Sequence, residues 1–152
     1  MIASTSFAGS KIDACTLLTE SEVHQLAPGL KMAVANKHLK GVSGCNWLDG
    51  HGLPALMLQV MKASSRDLQH DARAALFGSG YQINDIEGLG DQAVIVIQEA
   101  NPKFGLKEGV AILMIRIGKH QFSLSPARLA IREGTPQYKA FLGLAKKICE
   151  RL

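Results

Sequence analysis

Two sets of strand-type runs, separated by a single helical pattern, constrain this chain more than anything else in it. Leu30–Ala35, Gly44–Leu48 and Ala55–Met61 make the first set, and Gln92–Gln98, Val110–Ile117 and His120–Leu124 the second. All are short and rich in apolar or β-branched residues, with turn-forming residues between them. Gly41, Gly44, Gly50, Gly52 and Pro54 punctuate the first set, which reads as a meander. Gly118 and Lys119 form a two-residue hairpin turn in the second, and residues 99–109 a longer hairpin loop. Ala55–Met61 is apolar at nearly every position, which predicts an internal strand covered on both faces.

Three helix signals interleave with these runs. Thr19 and Glu22 have the spacing of a capping box, Leu18 and Val23 that of a hydrophobic staple, and Pro28-Gly29 ends the helix after about two turns. Ser64 and Asp67 open a second helix with Leu68, Ala72, Ala75 and Leu76 on its apolar side, Arg66, His70 and Arg73 facing solvent, and a stop at Gly78-Ser79-Gly80. Thr135 caps a third, with Pro136 at its first position and Tyr138, Phe141, Leu142, Ala145, Ile148, Cys149 and Leu152 on one face. The expected order is α-β-β-β-α-β-β-β-α. That is an α+β fold, an antiparallel sheet of about six strands flanked by three helices, rather than a doubly wound parallel sheet.

The length, 152 residues, is that of one ordinary domain. We expect residues 1–10 to form a flexible N-terminal segment of a mature or trimmed chain, and residues 11–152 a single α+β domain. No apolar run approaches the roughly 18–20 residues that span a bilayer, and the first residues lack a signal peptide's charged-then-apolar pattern. The net charge of +4 is uneven: residues 128–152 hold six Lys or Arg against two Asp or Glu, while residues 1–127 hold eleven of each. Arg128, Arg132, Lys139, Lys146, Lys147 and Arg151 are therefore the candidate basic patch for an anionic partner, nucleic acid or membrane. The competing and preferred reading is a solvated helix face whose cations suit a helix C-terminus.

Motifs that would carry chemistry are weak. Gly88-Leu89-Gly90-Asp91-Gln92-Ala93 matches a dinucleotide fingerprint in letters, but it leads into a β-branched run instead of a helix, so a tight turn is expected. His38, Cys45 and His51 follow no recognised ligand spacing, and no metal site is expected. No nucleophile signature surrounds any serine or cysteine; Glu20 and Glu22 are explained by the helix start, and Cys149 by the apolar face of the last helix. We expect no catalytic residues and no cofactor. Cys15 and Cys45 read as a disulfide closing a loop of about 30 residues, worth roughly 3–4 kcal/mol on the chain-entropy model. The alternative is two reduced cysteines in a cytosolic protein.

Asp13-Ala14-Cys15-Thr16-Leu17-Leu18-Thr19-Glu20-Ser21-Glu22-Val23, Cys45-Asn46-Trp47 and Ile86-Glu87-Gly88-Leu89-Gly90-Asp91-Gln92-Ala93 together resemble a group of small bacterial exported or lipoprotein-like proteins of unknown function. That group has a D-x-C-x-L-L-T-x-x-E-V opening, a later C-x-W and a G-L-G-D-x-A turn. The resemblance implies a fold similar to the PsbP and LpqN type, pairing of Cys15 with Cys45, and no catalytic residues. It also implies a periplasmic or secreted location, a cytoplasmic one being the alternative.

The expected function is that of a non-enzymatic exported domain that binds a partner protein, an envelope component or a small ligand through a sheet face or loop surface. Membrane contact enters only through a lipid anchor or peripheral binding, and nucleic acid is not an expected partner. Gly88, Leu89, Gly90 and Asp91 form the first candidate surface and the 101–108 hairpin the second, because loops carry such contacts. The alternatives are an enzyme with an unfamiliar site and an anionic-surface binder using the basic C-terminal segment.

Overall fold

A computed structural model describes residues 12–37, 39–76 and 80–152. A short 3-10 turn, Ala14–Thr16, precedes α1 (Glu20–Leu26). Then come β1 (Met32–Asn36), β2 (Val42–Leu48), β3 (Pro54–Lys62), α2 (Leu68–Ala74), β4 (Tyr81–Asp85), β5 (Gln92–Gln98), β6 (Gly109–Ile117), β7 (His120–Ser125) and α3 (Pro136–Arg151). The fold is α+β with an antiparallel sheet, but among the described residues the sheet has seven strands instead of about six. The additional strand is β4, whose only apolar side chains are Tyr81 and Ile83, ahead of the turn-type pair Asn84-Asp85. It pairs with β5 at the sheet's edge, so it needs only a half-covered face.

Strand order is β1-β2-β3-β7-β6-β5-β4. Two meanders, β1-β2-β3 and β4-β5-β6-β7, are joined where β3 runs antiparallel to β7 in the register Leu58↔Leu124 and Val60↔Phe122. One face carries the main core. Cys45, Trp47, Leu56, Leu58, Val60, Ile95, Leu113, Ile115, Phe122 and Leu124 meet Leu18, Val23 and Leu26 of the α1 region and Phe141, Leu144, Ala145 and Ile148 of α3. On the opposite face Leu68 and Ala72 of α2 pack on Val94, Val96 and Met114. That helix packs on the β4-β5-β6 end and reaches β7 through Gln121 Nε2, which donates to Asp71 Oδ2 at 3.5 Å.

This half-covering corrects the reading of the third strand. In β3 only one face is fully buried, with Leu56, Leu58 and Val60, while Met57, Gln59 and Met61 stay half-buried on the other. The strand buried on both faces is β5, in which Ala93 to Ile97 are all inaccessible. An unbroken apolar run does not tell the two situations apart, because methionines on an open face read like core residues.

The helix starts follow their signals. Thr19 Oγ1 accepts from the Glu22 backbone N–H at 3.1 Å and Glu22 Oε1 accepts from the Thr19 N–H at 2.8 Å, a complete capping box. Thr135 caps α3 through the Tyr138 N–H, with Pro136 at the first helical position. Asp67 is the N-cap residue of α2 without a side-chain cap bond; its carboxylate accepts from Gln92 Nε2 at 2.7 Å instead, which docks the helix start on β5. Of the expected stop at Gly78-Ser79-Gly80, residues 78 and 79 lie outside the described residues.

Candidate functional site

Cys15 and Cys45 form a disulfide, with Cα atoms 5.0 Å apart across a separation of 30 residues. It fastens the Ala14–Thr16 turn to β2, beside a second tie in which the Ala14 N–H donates to Ser43 Oγ at 2.9 Å. Cys45 is completely buried and Cys15 half-buried, so the bond lies at the margin of the core. Cys149 is the free cysteine, and burial pushes its thiol up, against the opposing effect of the Gly90 backbone N–H.

The Gly88–Asp91 segment is a turn into β5, with both glycines at positive φ. Leu89 is buried in the main core, and Gly90 is pressed against β6 so closely that a Cβ would lie 2.6 Å from Arg116 O. The Asp91 N–H donates to Arg116 O at 2.8 Å, and its Oδ2 accepts from the Gly118 N–H at 2.7 Å. Gly90 and Asp91 thus hold the segment against the end of β6 and the β6–β7 turn, and Gly88, Gly90 and Asp91 are exposed. In the 101–108 hairpin, a 3-10 turn at Pro102–Phe104 is closed by paired backbone bonds between Asn101 and Leu106, and Phe104 protrudes with 76% of its surface exposed.

The structure divides the six basic residues. Arg151 makes a two-pronged bond to Glu22, at 2.6 Å to Oε1 and 2.7 Å to Oε2, and also donates to Leu17 O at 2.7 Å. Lys147 stands 3.4 Å from the same carboxylate. This arrangement ties α3 to the start of α1, and Arg151 holds the Glu22 carboxyl well below the usual carboxylate range. Arg128 lies 3.3 Å from Asp49, whose carboxyl is lowered first by the backbone N–H groups of Leu53 and His51. Arg132, Lys139 and Lys146 remain as exposed cations. Of the trio considered for metal, Cys45 is consumed by the disulfide and His38 lies outside the described residues. No group of three or more His, Cys, Asp or Glu side chains converges to hold a metal among the described residues.

Local sequence did not point to a further feature, the β1-β2-β3 end of the sheet face, which α2 does not cover. Register places Val34, Asn46, Met57 and Ser125 in one row across it, and Asn36, Gly44, Gln59 and Ser123 in the next. Met32 and Val34 are 59% and 41% exposed, and Leu39 is 59% exposed beside them. A cleft of about 110 Å³ opens here between Asn36, Leu39, Val42, Gly44 and Gln59. Gly44 permits the close approach of β1, since a Cβ there would lie 3.0 Å from both Asn36 Cβ and Asn36 O. On the helix-covered face a second cleft, about 150 Å³, is lined by Cys15, Glu20, His24, Trp47 and their neighbours. His24 Nε2 is engaged there with Leu30 O at 2.5 Å. No helix of the described residues is long and apolar enough to cross a membrane. Comparison with protein-family models, with curated proteins and with solved structures finds no match to this chain.

Proposed function

We propose that the protein is a non-enzymatic binding module of the periplasm or extracellular space, and that it engages a partner protein through the uncovered half of its sheet. The observation that carries this reading is the row of Val34, Asn46, Met57 and Ser125 with the exposed Met32 and Leu39 beside it, on a face that α2 leaves open. Apolar and amide side chains mixed in this way suit the centre of a protein interface, where methionine is enriched and charge is depleted. The two clefts, about 110 and 150 Å³, fall below the roughly 300 Å³ at which small-molecule sites begin, which favours a macromolecular partner over a small ligand. The Cys15–Cys45 disulfide is consistent with an oxidising compartment.

The test is position-dependent photo-crosslinking in the native envelope fraction. A photoreactive amino acid at Met57 or Gln59 is expected to give one discrete adduct, and the same group at Lys139 on α3 none. Adducts from Lys139 alone, or equal labelling from all three positions, would assign the interface elsewhere.

A further inference from the structure

We infer that the outer edge of β1 accepts an extended acidic and apolar peptide segment of a partner protein as an additional strand. The inference rests on the binding-module reading above and names the partner's chemistry.

Among the described residues the sheet order ends at β1, and Met32, Ala33, Val34 and Ala35 are all exposed, so this stretch of the edge has no strand beyond it, while the Ala14–Thr16 turn lies against the strand. Such an edge offers main-chain donors and acceptors to an incoming strand, with alternate side chains read by the flanking surface. The surface that would read them is the cleft of about 110 Å³ whose lining includes Leu39, Val42 and Gln59, on the open face next to the strand. Charge sets the sign of the partner. Lys31 and Lys37 frame β1 and Lys40 follows, while no Asp or Glu occurs between Glu22 and Asp49. A second copy of this chain fits poorly. Full antiparallel overlap of two β1 strands centred on Val34 sets Lys31 of each copy against Lys37 of the other, and directly opposed like charges destabilise a strand pair. Carboxylates at the two ends of an incoming strand, with aliphatic residues between, satisfy the same geometry.

The probe is a fluorescent peptide of about nine residues alternating Val and Glu, compared with its Val and Lys counterpart and with a Val and Glu peptide N-methylated at alternate backbone amides. Fluorescence anisotropy on the full chain is expected to show binding of the acidic peptide only. N-methylation is expected to weaken that binding about tenfold or more, because several main-chain bonds are lost. The double variant Lys31→Glu/Lys37→Glu, checked by thermal melting, is expected to reverse the preference toward the lysine peptide. Equal binding of the methylated peptide would reduce the effect to charge alone and overturn strand addition. Absence of acidic-peptide binding, or binding to anionic phosphatidylglycerol vesicles in its place, would overturn it too. If the crosslink at Met57 or Gln59 nevertheless forms, the binding-module reading survives and only the strand-addition inference falls; if both fail, both fall.

Discussion

Glu22 closes the capping box of α1 and receives Arg151 from the far end of the chain, so one carboxylate fixes a helix start and a helix-to-helix contact together. Only the first of these roles was legible, because S/T-x-x-E spacing is local whereas the ion pair joins residues 129 positions apart. Arg151→Ala is expected to cost about 1.5–3 kcal/mol in urea unfolding, toward the lower end because the Arg151 side chain is 38% exposed and solvent screens it. The pH dependence has a definite sign. Since the folded-state carboxyl is lowered, the stabilisation is fully present above the ordinary glutamate value of about 4.3 and is lost as pH falls through the lower folded value. The stability difference between wild type and Glu22→Gln should therefore be level above about pH 5 and shrink in acid; a difference that grew on acidification would contradict the pairing. Gly90 gives a second test at this scale. A methyl group at its φ of +57° would meet Arg116 O at 2.6 Å and Ile115 Cγ2 at 2.7 Å. Gly90→Ala is expected to lose about 2–3 kcal/mol, with Gly88→Ala, which has nothing within 4 Å, losing less.

Among the elements, α1 depends most on attachments outside itself. At seven residues it is too short to persist alone, so it relies on its cap, on burial of Val23 and Leu26, on Arg151 and on the disulfide just before it. Reducing Cys15–Cys45 should lower the unfolding free energy by roughly 3–4 kcal/mol, read as a shift in urea midpoint with and without reductant. Alkylation of denatured, unreduced protein should label Cys149 alone; three labelled thiols would exclude the bond in solution. The sequence carried α1, α3, β5 and the β6–β7 hairpin clearly, because capping residues, β-branched runs and Gly118-Lys119 are local signals. It hid β4, whose side chains are mostly polar and whose strand character comes from pairing with β5. The open sheet face was hidden for a related reason. Which strands a helix covers depends on where α2 lands, and nothing in Met57, Gln59 or Met61 records that the helix stops short of them.

For the molecule as a whole, the C-terminal charge excess proved a poor guide to a surface. Lys147 and Arg151 serve Glu22, Arg128 serves Asp49, and three exposed cations remain from the six. The binding surface proposed above lies instead on the β1-β2-β3 end of the sheet, flanked by Lys31, Lys37 and Lys40, and its exposure follows from topology. That topology also has a consequence for assembly of the chain itself. Each meander forms from neighbouring strands, but the β3–β7 seam must bring Met57–Lys62 to His120–Ser125 across more than half of the sheet's sequence, so it carries the largest loop-closure cost and is expected to close last. Until it does, β3 and β7 both present unpaired apolar edges, and the seam's register is equally satisfied by β7 of another chain. Refolding at high protein concentration should accordingly trap interlinked dimers that dilute refolding avoids. Size-exclusion chromatography of the two refolded samples would separate them, and identical monomeric profiles would show that closure within one chain outruns exchange.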